Sequence, residues 1–73
     1  MEEKIIQIAN DVFDCEITSS SKIGDPQVWD SLGQLTFFMS LESQLGIKFS
    51  PEEIIENNSI KDIMNLINNK KSL

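Results

Sequence analysis

The sequence predicts an all-α fold, a small four-helix bundle of three main helices plus one short helix. Three observations carry that reading. Apolar residues recur at helical spacing in separate segments. Residues that start and stop helices stand at the ends of those segments. No stretch shows the sustained alternation of a strand. The first, second and last helices should form the body of the bundle.

Residues 3–14 read as the first helix, with Ile5, Ile8, Ala9, Val12 and Phe13 on one side. Lys4, Gln7, Asn10, Asp11 and Asp14 lie mostly on the other. Residues 15–30 are loop, because Thr18-Ser19-Ser20-Ser21 and Lys22-Ile23-Gly24-Asp25-Pro26 are turn chemistry. Loops of this length are usually functional or disordered. Ile17, Ile23, Val28 and Trp29 are the apolar residues that could pin it to the helices.

The second helix should run from Ser31 to Leu45, with Asp30 as N-cap and Gly46 as its stop. Leu35, Phe38, Leu41, Glu42 and Leu45 share one broad face. Leu32, Thr36, Met39, Ser40 and Ser43 turn toward another, and Phe37 falls between the two. In "FSPEEII", Ser50 is an N-cap, Pro51 takes the first helical position and Glu53 completes a capping box. That short helix ends near Glu56, before Asn57-Asn58. Ser59 caps the last helix, with Asp62 in its first turn and Ile60, Ile63, Met64, Leu66 and Ile67 on its inner face. Asn68-Asn69-Lys70-Lys71 reads as a fraying tail.

Composition narrows the chemistry. The 73 residues fit a single domain, 1–73. Cys15 is the one cysteine and there is no histidine. An internal disulfide cannot form, and a zinc site would lack its usual ligands, so no metal is expected. A Ser–His–Asp or Cys–His pair cannot exist. A chain this small also has little room for a concave catalytic site, and no catalytic residue is assigned. The expectation is a protein that is not an enzyme. A formal net charge of −6, with six lysines and no arginine, speaks against nucleic-acid partners and anionic membrane surfaces. It suits proteins with basic patches, or simply solubility. Met1-Glu2-Glu3-Lys4 is acidic where a signal peptide would be basic, and no apolar run approaches membrane-spanning length. A cytoplasmic monomer without stable membrane insertion is expected.

The stretch "WDSLGQLTFFMSLESQLGIKFSPEEIIENNSIKDIMNLI" resembles the acyl carrier proteins and related phosphopantetheine-binding carrier domains. The likeness covers essentially the whole chain: first helix, long loop, Asp30-Ser31-Leu32 opening the second helix, a capped short helix and a last helix. The tripeptide alone is weak; the tripeptide with "LE..LGI.FSPEEI" downstream is specific. The resemblance implies a 4′-phosphopantetheine arm on Ser31, transferred from coenzyme A by a phosphopantetheinyl transferase that uses a metal. Acyl or aminoacyl groups are then held as thioesters on the arm and presented to activating and processing enzymes. Asp30 and Leu32 would form the recognition context of Ser31. The rival readings are an aminoacyl or peptidyl carrier and an unmodified helical interaction module. A serine is in any case common in a helix's first turn.

The second helix departs from the acidic docking helix typical of carriers in primary fatty acid synthesis. Gly33, Thr36, Ser43 and Gln44 are neutral, and only Glu42 keeps a negative charge within it. That pattern looks more like discrete carriers of specialised lipid, saccharide or secondary pathways. Docking is therefore assigned to Leu32, Thr36, Met39 and Ser40 more than to charge, with Glu42, Glu52 and Glu56 as further recognition candidates. Glu52, Glu53 and Glu56 equally suit the helix dipole, and Met39 equally suits core filling. Gly33 either allows close approach of a partner backbone or is drift. Cys15 reads as an inert thiol. Trp29 should pack the loop. A cavity walled by Phe13, Phe38, Leu41, Phe49, Ile54 and Ile63 could shelter an acyl chain, unless the aromatic rings fill it.

Overall fold

Helices begin where a side chain can take the orphaned N–H groups of a first turn. In the computed structural model, which describes residues 2–71, α1 spans Glu2–Phe13, α2 Ser31–Leu45, α3 Pro51–Glu56 and α4 Ile60–Lys71. Asp30 caps α2 by accepting from the Gly33 N–H at 2.8 Å. Gly46 ends it in the left-handed region, φ 68°, and its N–H donates to the Glu42 carbonyl. Ser50 and Glu53 form the full reciprocal box on α3, and Ser59 Oγ accepts from the Asp62 N–H. Each of these caps stands where the sequence places it. Helix α1 shifts by one residue at each end: it begins at Glu2 and stops at Phe13, and Asp14 takes φ 52° to turn the chain into the loop.

Helix α1 packs on both α2 and α4, and α3 packs on α2. Ile5, Ile8, Ala9 and Phe13 of α1 meet Phe37, Phe38 and Leu41 of α2 and Ile60, Ile63 and Ile67 of α4 in one buried core. All five aromatic residues join in a continuous chain of ring contacts. Phe13 stacks on Trp29 with centroids 5.1 Å apart, both meet Phe37 edge-on, and Phe38 meets Phe49 at 4.8 Å. Such pairs add about 0.5–1.5 kcal/mol each beyond area burial. The rings therefore fill the interior expected to shelter an acyl chain. Of the six walls named for that cavity, Ile54 alone lines a cleft described below.

The long loop is ordered. Ile17 and Trp29 are buried and Ile23 is half-buried, but Val28 points out and is corrected as a pin. The Ile17 N–H donates to Asn10 Oδ1 at 2.7 Å. Ile23 N–H donates to the Asn58 carbonyl and Ile60 N–H to the Ser21 carbonyl, at 2.9 and 3.0 Å. These bonds tie the loop to the junction of α3 and α4.

The supposed tail is also corrected. Residues 68–71 continue α4, because Lys70 Nζ reaches Glu53 Oε1 at 2.9 Å and lies 5.4 Å from the Phe49 ring centroid. A non-local ion pair and a cation–π contact hold that turn. The carboxyl of Glu53 is kept below its ordinary range, first by the Ser50 backbone N–H and then by Lys70. A group with a lower folded pKa stabilises the fold above its unfolded pKa. That contribution is lost as pH falls through the folded value. Glu53→Gln keeps an acceptor but removes the charge. Its denaturation midpoint should lie below wild type at neutral pH, and the gap should close in acid. Denaturant melts across a pH series test this; a gap independent of pH would refute it.

Candidate functional site

The first turn of α2 is built from both sides. Asp30 takes the N–H of Gly33 with its carboxylate and that of Gln34 with its carbonyl. The N–H groups of Ser31 and Leu32 are left at the open end of the helix, where the dipole is positive. Ser31 is exposed there.

Gly33 lets this turn lie close against α1 and the loop. A methyl added at its Cα would lie 2.8 Å from Phe13 Cε1 and 3.2 Å from the Val28 carbonyl oxygen. The close approach that glycine permits is by the chain's own α1 and loop. The sequence reading left close approach of a partner backbone and drift as its two accounts of this glycine.

Gln34 was not among the expected site residues. It is 5% exposed and makes three hydrogen bonds. Its Oε1 accepts from Trp29 Nε1 at 2.7 Å, and its Nε2 donates to the carbonyls of Ile54 at 2.7 Å and Asn57 at 2.8 Å. It thus joins loop, α2 and the end of α3. Beside it opens a cleft of about 310 Å³ lined by Ser31, Gln34, Leu35, Ile23, Ile54, Ile55 and Asn58. The cleft is mostly apolar and Ser31 stands at its edge. Of its lining, the sequence reading singled out Ser31 as a site and Ile54 as a cavity wall. The missed signal was a lone amide three residues before Phe37 and four before Phe38, on their side of the helix.

The outward face of α2 is apolar. Leu32 is 73% and Met39 60% exposed, and Leu35, expected inside, also faces out. Helix α2 carries apolar residues nearly all round, so spacing alone did not select the buried arc, which is Gln34, Phe37, Phe38 and Leu41. Thr36 lies on the exposed face, though its hydroxyl donates back to the Leu32 carbonyl at 3.0 Å. Ser40 is half-buried. Asp30, Ser31, Leu32, Thr36 and Met39 therefore share the accessible side of α2. Glu42 is set apart, half-buried, with Oε2 accepting from the Phe49 N–H at 3.0 Å. That bond shapes the turn after α2. Glu52 and Glu56 are exposed on α3. Cys15 is free and half-buried. Among the described residues no acidic, cysteine or histidine cluster is placed to hold a metal, and no helix is long and apolar enough to cross a membrane.

A family model described as a phosphopantetheine attachment site matches residues 29–67. That span holds Ser31 and most of the cleft lining. No curated protein and no solved structure gives a significant match.

The packing around Gly33 yields a prediction. In an open helix, Gly→Ala would stabilise by about 0.5–1 kcal/mol. Here the methyl meets a buried ring that is stacked on Trp29. Overpacking costs about 1–3 kcal/mol. Gly33→Ala should therefore lose about 1 kcal/mol net in chemical denaturation; a variant more stable than wild type would contradict this packing.

Proposed function

The chain belongs to the phosphopantetheine-attachment family, whose members carry a covalent 4′-phosphopantetheine, and on that premise we propose that Ser31 is the attachment residue of an acyl carrier domain. The observation that carries the reading is the position of Ser31. Its hydroxyl is exposed at the N-terminus of α2, within the matched span and at the edge of an apolar cleft.

The residues fit the group. A phosphodiester on Ser31 lies in the favourable field of the α2 N-terminus, with the N–H groups of Ser31 and Leu32 beside it. Asp30 holds that turn together through Gly33, and Gly33 locks it against Phe13. The arm's terminal thiol supplies the chemistry, holding an acyl group as a thioester. The chain's own residues anchor and present it. A flexible arm on a fixed helix raises the local concentration of cargo at a docked enzyme.

Partners are a phosphopantetheinyl transferase and the enzymes that load and process the cargo. Docking uses the exposed face of Leu32, Thr36 and Met39, flanked by Ser40. The neutral character of this face favours a specialised lipid, saccharide or secondary pathway.

Two outcomes test the reading. Incubation with coenzyme A and a broad-specificity transferase should add one phosphopantetheine by intact mass, and Ser31→Ala should add none. No gain with several transferases would leave an unmodified interaction module as the better account. Second, the kcat/KM of arm transfer should fall for Leu32→Asp and Met39→Asp but change little with salt, since an apolar contact is not screened. A steep loss at moderate salt would assign docking to charge.

A further inference from the structure

The cleft beside Ser31 has walls and a bottom of different character. Leu35, Ile54, Ile55 and Ile23 make apolar sides, and Ile55 is 74% exposed. An apolar group lying along them would cover surface that now faces water. The bottom is the amide of Gln34, engaged with Trp29 Nε1–H and the carbonyls of Ile54 and Asn57. No buried side-chain nitrogen or oxygen among the described residues lacks a partner. Behind the amide, Trp29, Phe37 and Phe38 are fully buried, in ring contact from Trp29 to Phe37 and from Phe37 to Phe38. A guest going deeper must displace those rings and break three hydrogen bonds. It would leave an indole N–H and two carbonyls unpaired, a penalty that falls on each orphaned group in full.

Resting on the carrier reading of Ser31, we propose that Gln34 is a depth stop that sets how much of an acyl chain the bundle shelters. The cleft takes the apolar end of a short acyl group, and Gln34 keeps longer chains out of the bundle interior. Its volume lies at the small end of ligand clefts, roughly 300–1,000 Å³. Added methylenes beyond that room stay in solvent.

The test uses the whole chain, loaded with acetyl, butyryl, hexanoyl, decanoyl and dodecanoyl thioesters, each verified by intact mass. Trp29 is the sole tryptophan, so its Nε1–H gives one NMR signal that reports on the Gln34 bond. Signals of Leu35, Ile54 and Ile55 should shift between acetyl and hexanoyl. The Trp29 Nε1–H signal should stay in place throughout, and exchange protection of Phe37, Phe38 and Ile63 amides should be level from hexanoyl to dodecanoyl. Protection rising about fourfold per added methylene, with Trp29 moving, would overturn the proposal. So would the absence of any shift at the cleft residues. In Gln34→Leu, the Trp29 signal should come to depend on chain length; the wild-type series decides the matter even where that variant does not fold. Failure to gain the arm at all would overturn the carrier reading, and this inference with it. A loaded protein that buries long chains overturns the inference alone.

Discussion

One buried amide holds three parts of this chain together. Helix α3 has no fully buried residue, and it is too short to be stable on its own. Its last carbonyls would be orphans at a helix end. Gln34 satisfies those of Ile54 and Asn57 while accepting from the indole of Trp29. The position of α3 against α2 therefore rests heavily on directed polar bonds. That choice fixes the cleft beside Ser31, since α2 supplies one wall and α3 the other.

The helix ends were legible in the sequence because capping is local chemistry. Asp30, Gly46, Ser50, Glu53 and Ser59 each act on a backbone group three or four residues away. What was not legible depends on residues distant in sequence. Leu35 was assigned inward and Gln34 was passed over, since α2 is apolar on most sides and an amide ordinarily reads as surface. The reason for Gly33 is the ring of Phe13, on another helix. The last turn of α4 looked frayed until Lys70 met Glu53 and Phe49. The family resemblance supplied Ser31; the cleft that borders it came only from the fold.

Charge and exposed apolar surface are separated in this molecule. The chain is acidic, yet the accessible side of α2 is mostly Leu, Met and Thr. Negative side chains gather at the start of α1 and on α3. The acidic total can keep the chain soluble and steer basic partners at long range. The exposed part of α2 nearest Ser31 is instead apolar, with Leu32 and Met39 facing water.

The bonds from Ser21 to Ile60 and from Ile23 to Asn58 join segments far apart along the chain. Closing so long a loop costs entropy before the contact returns any stability. Helices α1 and α2 gain from local hydrogen bonds and early apolar contact, so they suit the nucleus of a low contact-order folding route. The cleft beside Ser31 is thus closed by contacts that no single helix makes alone.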